Sequence, residues 1–154
     1  SEELFKLTKK YNAGLFLMHK RGTPKDMQKK LNPRANMVKE FDEFIEKRLK
    51  ILKKMKFNLK KVWFDPGIGF GKTLNQNLQL MRSLSKYSHK NLQILLGSSR
   101  KSWINFIDPS NADQRIGGSL ASITHALQQN VNTFRIHDVQ ETNQMIKVLK
   151  ALNK

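Results

Sequence analysis

A chain of 154 residues has room for a single domain with a core of several buried helices and strands. Hydrophobic residues make up 38% and charged residues 27%, an ordinary balance for a globular protein, and the lack of cysteine excludes disulfides and cysteine-bound metals. The formal net charge of +17 is extreme for this size; it would attract phosphorylated substrates, nucleic acid or anionic lipid, although lysines set between apolar positions, as in Arg48-Leu49-Lys50-Ile51-Leu52-Lys53-Lys54, read as a solvated surface.

The opening Ser1-Glu2-Glu3 reads as though an earlier segment precedes it. Leu4, Leu7 and Tyr11 predict a first helix, with Ser1 as its N-cap and two acids in its first turn. Leu15 to Met18 predicts a strand that ends at His19. Lys20 to Asn36, with Gly22, Pro24 and Pro33, is the longest expected loop. Met37, Phe41, Phe44, Ile45, Leu49 and Leu52 then recur at helical steps and predict one buried stripe. A second strand, Val62 to Phe64, runs into Asp65, and Leu74, Leu78, Met81 and Leu84 form the next helical stripe. A third strand, Ile94 to Leu96, is followed by Ser98, Ser99, Arg100 and Lys101, then by a helix on Ile116, Leu120, Ile123 and Leu127. The last strand, Thr133 to Ile136, ends with Arg135, His137 and Asp138, and Met145, Ile146, Leu149 and Leu152 predict the final helix. The strands are continuous apolar runs, as expected of parallel strands buried on both faces. Strand and helix alternate four times, the pattern of a parallel α/β fold. No apolar run approaches the roughly 20 residues that span a bilayer and no signal peptide opens the chain, so a cytoplasmic setting is the default.

Each strand turns polar at its end, and in parallel α/β folds those ends share one ligand-binding face. Asp65-Pro66-Gly67-Ile68-Gly69-Phe70-Gly71-Lys72-Thr73 first suggests a phosphate-binding loop. It fails the spacing test, because the required first glycine falls on Pro66. Nor do its glycines fit the dinucleotide fingerprint. They still predict a tight turn at a strand end, where Asp65 can accept hydrogen bonds from an amidine-like ring edge or cap the loop. Gly97-Ser98-Ser99-Arg100-Lys101 lacks the pattern of a nucleophile elbow, so no covalent nucleophile is expected; a hydroxyl, two cations and a helix start suit an anion or carboxylate. Arg135 and His137 alternate along a strand and should face the same way, an arrangement that suits a phosphate ester or pyrophosphate. His89 and His125 read as structural or solvated. No His/Asp/Glu spacing makes a metal cage, which leaves a Mg²⁺ carried in by a phosphorylated substrate.

Taken together and in order, these motifs resemble dihydropteroate synthase. Leu17-Met18-His19 followed by Gly22-x-Pro24 and Met27-Gln28, then Asp65-Pro-Gly-Ile-Gly-Phe-Gly-Lys, Gly97-Ser-Ser-Arg-Lys, Arg115-Ile-Gly-Gly-Ser-Leu-Ala and Arg135-Ile-His-Asp-Val each resemble a segment of that family. The resemblance implies an α/β fold, the C-terminal half of a (β/α)8 TIM barrel with four parallel strands. Residues 1–154 would form a partial pterin-binding domain in which the first four strands of the barrel are missing.

It implies a transferase of folate biosynthesis that joins 6-hydroxymethyl-7,8-dihydropterin pyrophosphate and p-aminobenzoate to give 7,8-dihydropteroate and pyrophosphate. Asp65 would bind the pterin 2-amino and ring N–H edge and Lys101 a ring heteroatom. Arg135 and His137 would hold the pyrophosphate, Ser99 the p-aminobenzoate carboxylate, and Phe70 would offer an apolar wall. Mg²⁺ would arrive with the pyrophosphate and find its protein ligand in the absent half. The partners implied are these small molecules and a homodimer, with no specific nucleic acid and no membrane. Three alternatives stay open: a non-catalytic half-barrel that needs its other half, a pterin-dependent methyltransferase relative, and a polyanion-binding module.

Overall fold

A computed structural model describes residues 2–22 and 31–153. Its strands are β1 (Leu15–Met18), β2 (Val62–Asp65), β3 (Gln93–Leu96) and β4 (Thr133–Phe134). They pair in the order β1-β2-β3-β4 and every pair is parallel, with Leu15 opposite Val62, Phe64 opposite Ile94 and Leu96 opposite Phe134. Parallel neighbours in sequence order need crossovers of one hand, which bring every connecting helix back over the same side. That is the wall of a barrel; a doubly wound sheet would reverse its strand order and cover both faces.

The helices are α1 (Glu2–Lys10), α2 (Met37–Lys54), α3 (Leu74–Arg82), α4 (Ser85–Ser88), α5 (Ser102–Asn105), α6 (Ile116–Gln128) and α7 (Val139–Leu152). Asn36 caps α2 by accepting from the Lys39 N–H at 3.0 Å, and Met37, Phe41, Ile45 and Leu52 form its buried face, as the stripe predicted. Thr73 and Gln76 make a reciprocal capping box at the start of α3. Against these helices pack Leu15 and Leu17 of β1, Val62 and Phe64 of β2, and Ile94 and Leu96 of β3, which alternate along each strand and so share one face. Phe41 is fully buried at the centre, edge-on to Tyr87 at 5.0 Å. Its removal would cost about 3–5 kcal/mol.

Several expectations change here. Burial on both faces holds for β3, where Leu95 is buried as well as Ile94 and Leu96, but not for β1: Phe16, on the opposite side from Leu15 and Leu17, is 57% exposed and leans on the half-buried Trp63 at 5.1 Å. A continuous apolar run does not reveal whether its second face is covered. In α1 the predicted stripe faces outward, with Leu4, Leu7 and Tyr11 at 49%, 52% and 68% exposure, while Phe5 and Thr8 are buried. With apolar residues on two sides of a short helix, spacing identifies the helix but not its buried side. The predicted cap Ser1 lies outside the described residues, as do Pro24, Met27 and Gln28 of the first motif.

In α6 the deepest residues are Ser119, Ser122, Ile123 and Ala126, with Ser122 Oγ 2.7 Å from Ser98 Oγ in the loop after β3; Ile116, Leu120 and Leu127 are half-buried. Leu152, at the end of the last predicted stripe, is exposed. β4 is shorter than predicted, although the Arg135 N–H still donates to Leu96 O at 3.0 Å and extends the ladder by one residue. No helix among the described residues is long and apolar enough to cross a membrane.

Candidate functional site

The C-terminal ends of β1 and β2 carry two loops that lie main chain against main chain. The His19 N–H continues the sheet by donating to Asp65 O at 2.9 Å, and the Arg21 N–H reaches Phe70 O at 3.5 Å. Gly67 and Gly71 make this approach feasible. Both have positive φ, and a Cβ at Gly67 would stand 1.9 Å from His19 O, one at Gly71 2.5 Å from Arg21 O. The Lys72 ammonium sits between the loops, and Asn77 of α3 accepts from the Gly69 N–H at 2.8 Å.

On this base stands Asp65, 2% exposed. Its Oδ1 accepts from the Gly67 N–H at 2.7 Å, and its Oδ2 meets the Arg135 guanidinium at 3.4 Å. The carboxylate therefore caps its own loop with one oxygen and turns the other toward the site. Gly97, at the end of β3, leaves the room through which Arg135 reaches across, since a Cβ there would lie 2.9 Å from the guanidinium. Lys101 approaches from the third strand, donating to Ile68 O at 2.6 Å with its ammonium 4.5 Å from the Phe70 ring centre. Asp65, Phe70, Lys101 and Arg135, drawn from three motifs, thus form one cluster.

Ser99 and His137 form a second pair beside it. The Ser99 hydroxyl lies 3.0 Å from His137 Nδ1 and accepts from the His137 N–H at 3.3 Å. The predicted helix start at Ser99 is displaced: α5 begins at Ser102 with Lys101 as its N-cap, and it is only one turn long. His137 lies beyond β4, so strand alternation does not govern its direction, and its contact is Ser99 where that of Arg135 is Asp65. A scaffold holds this pair. Arg100 donates to both oxygens of Asp138, with Nε to Oδ2 at 3.0 Å, while its own N–H donates to Ser119 Oγ at 2.9 Å and its carbonyl accepts from Arg115 at 3.0 Å.

His19 departs from its expected place. It shares strand parity with Leu15 and Leu17, so its ring points into the helix layer, 6.0 Å from Phe41 and 5.5 Å from Phe44, and not onto the ligand face. Burial, with Lys72 and Arg21 nearby, lowers its pKa to about 4, which keeps the ring neutral at pH 7. His89 and His125 are exposed.

Burial pushes the Asp65 carboxyl upward; the Gly67 N–H, Lys101, Arg135 and Lys72 pull it back. Burial also lowers Lys101 to about 8, with Asp65 opposing the shift and Arg135 adding to it. Such a carboxylate, with one oxygen turned toward the site among three cations, can use its remaining lone pairs to accept paired N–H groups of a planar heterocycle. The cations can also balance an anion that the heterocycle carries. Among the described residues no group of three His, Asp or Glu is placed to hold a metal ion, and the charges of Lys101, Arg135 and Lys72 act on the Asp65 carboxylate.

Lys72, Asn77, Arg115 and Ser119, which sequence does not single out as site residues, hold these side chains in place together with Asp138, which sequence sets among the polar residues ending the last strand. Asn77 gives a signal in retrospect, because with Gln76 it is a buried amide within an apolar helical stripe.

The family model for pterin binding enzymes matches residues 1–137. The bifunctional dihydropteroate synthase/dihydropteroate reductase of Helicobacter pylori is 34% identical over 154 residues, which is 100% of this chain and 40% of that protein. The dihydropteroate synthase of Escherichia coli K12 is 35% identical over 136 residues, 88% of this chain and 48% of its own. Among solved structures, Yersinia pestis dihydropteroate synthase in a sulfonamide drug complex matches with a TM-score of 0.87 and 31% identity, covering 96% of this chain and 54% of that one. The Thermus thermophilus dihydropteroate synthase in complex with 6HMPPP gives 0.88 and 29%, covering 100% and 61%. The chain therefore spans about half the length of the curated relatives it matches. Its four parallel strands are the C-terminal half of the (β/α)8 barrel that the motifs implied.

Proposed function

The chain belongs to the family of pterin binding enzymes, and from that premise we propose that it is the pterin- and pyrophosphate-holding half of a dihydropteroate synthase. The observation that carries the reading is Asp65, a buried carboxylate at the tip of β2 with one oxygen turned toward Arg135 and with Lys101 beside it. A pterin presents a 2-amino group next to a ring N–H, two parallel donors for one carboxylate, and Lys101 is placed to donate to a ring heteroatom. The pyrophosphate then falls toward Arg135 and His137. Phe70 would supply an apolar wall for p-aminobenzoate, and the Ser99 hydroxyl, bonded here to His137, would take its carboxylate.

The reaction is a substitution at the methylene carbon that joins pterin and pyrophosphate. The carbon–oxygen bond breaks with its electron pair leaving on pyrophosphate, the aniline nitrogen of p-aminobenzoate forms the new carbon–nitrogen bond, and that nitrogen then loses a proton. The residues of this chain orient the pterin and balance the departing charge. None acts as a nucleophile. Mg²⁺ would arrive with the pyrophosphate and take its protein ligand from the absent half-barrel.

We further propose that residues 1–154 are a partial domain and that turnover needs a complementary half-barrel. The exposed ring of Phe16 and the open edges of β1 and β4 support this, since a closed barrel would cover all three. A homodimer closing the same face is the competing arrangement, and sedimentation separates the two. A cytoplasmic setting goes with the small soluble substrates of this reading.

The decisive experiment is calorimetric titration with 6-hydroxymethyl-7,8-dihydropterin pyrophosphate, run beside an Asp65→Ala variant. Binding that falls by more than about a hundredfold in the variant supports the reading. Equal binding in both proteins defeats it.

A further inference from the structure

Lys72 ends the glycine run, and the reaction above gives it no task. Its side chain is 3% exposed, an unusual place for an ammonium. Each of the three N–H bonds of that ammonium has an acceptor: Gly67 O at 2.9 Å, Phe70 O at 3.0 Å and His19 O at 3.3 Å. The acceptors are main-chain carbonyls from two different loops. Among the described residues Lys72 makes no ion pair; Asp65 and Glu40 act on it from a distance as acids, and Lys101 and Arg21 as cations. Burial lowers its pKa to about 8, below the 10.5 of a solvated lysine.

A methionine would fill this space without desolvating a charge, so packing alone does not explain the residue. The charge gathers three carbonyls that would otherwise face one another with like partial charges. It does so on the segment that carries Asp65, the Ile68 carbonyl that holds Lys101, and Phe70. We infer that Lys72 is a positioning residue of the site: its ammonium pins the Gly67–Phe70 turn to the loop after β1 and so fixes Asp65, Lys101 and Phe70 relative to one another. The inference rests on the pterin reading of that site. Ser99 and His137 hang on other supports and lie outside its reach.

The test uses two ligands and one exchange measurement on the full chain. Lys72→Met should weaken 6-hydroxymethyl-7,8-dihydropterin pyrophosphate by about tenfold while leaving inorganic pyrophosphate within about twofold. Amide exchange at Gly69 and Phe70 should quicken by about tenfold, with the β3 amides unchanged as an internal control.

Because the chain has no cysteine, Lys72→Cys can be alkylated in the unfolded state with 2-bromoethylamine, which regenerates an ammonium, or with iodoacetamide, which leaves a neutral adduct. After refolding, the cationic adduct should restore protection and affinity, and the neutral one should not. The inference is overturned if Lys72→Met leaves the turn and the affinity unchanged, if both ligands weaken equally, or if the neutral adduct restores as well as the charged one. A wild-type chain that binds no pterin pyrophosphate overturns the pterin reading instead. Exchange in the two adducts then decides the anchoring role without any ligand.

Discussion

The loop after β2 is held through its main chain, whereas the loop after β3 is held through side chains. In the first, Gly67 and Gly71 let two backbones touch, and the Lys72 ammonium gathers their carbonyls. In the second, Arg100 takes a left-handed φ of 56° without being glycine, and the contacts of Arg115, Ser119 and Asp138 keep it there. The first loop carries the Asp65 carboxylate proposed to hold a planar ring, and its position has little room to vary. The second carries the Ser99 hydroxyl, which meets the His137 imidazole from the segment after β4, on supports that can be loosened one at a time. Two rigidities of different origin should fail differently, which gives the comparison its tests.

The largest effect is expected at Gly67. Gly67→Ala puts a Cβ 1.9 Å from His19 O at a φ of +64°, so backbone strain adds to a main-chain clash that no side-chain rotation relieves. A loss of about 3–5 kcal/mol is expected, a large share of the stability of a small domain. Chemical denaturation followed by Trp63 and Trp103 fluorescence measures it. A loss below about 1 kcal/mol would show that the two loops can part cheaply, and the contrast between them would collapse.

The next effect is a pH dependence, and it belongs to the first loop because that loop rests on the His19 carbonyl. The His19 pKa is lowered from 6.5 to about 4 in the folded chain. Between those values the unfolded chain binds more protons, so stability rises with pH across this window. The contribution is full above about 6.5 and is lost as pH falls toward 4. It amounts to roughly 2–3 kcal/mol. His19→Phe keeps the carbonyl and the aromatic packing but cannot be protonated. Denaturation midpoints at pH 7 and 4.5 should therefore converge in the variant. Parallel behaviour of variant and wild type would mean that acid acts elsewhere.

Much of this arrangement can be read from sequence, for a physical reason. Buried parallel strands are continuous apolar runs, so Leu15–Met18 and Ile94–Leu96 announce themselves, and the polar residues that follow must lie on one rim. Asp65, Lys101 and Arg135 were legible on that ground, and they do meet. The direction of His19 was legible too, from its parity with Leu15 and Leu17, but proximity to the rim is the stronger cue and it misleads. Lys72 was not legible: after a glycine run a lysine looks like a phosphate ligand or a solvated cation, and only coordinates show three carbonyls around it. The bare side of β1 was hidden for a related reason, because Phe16 looks the same in sequence whether or not something covers it.

The smallest effect should come from the second loop, and it tests whether the two are independent. Asp138 is held below the usual carboxylate range by its hydrogen bonds from Arg100, so it stays ionised well into acid and keeps the Arg100 pair intact there. Asp138→Asn preserves the shape and removes the charge. Arg100 then loses its main reason to stay left-handed, and the Ser99–His137 contact shifts with it, since Ser99 precedes Arg100 and His137 precedes Asp138. Inorganic pyrophosphate should bind about threefold more weakly, while a pterin without pyrophosphate should bind as before. Calorimetry with the two ligands separates these outcomes. Equal weakening of both would mean that Arg100 also braces Lys101 and the turn beneath it, and that the rim is one unit with two kinds of fastening.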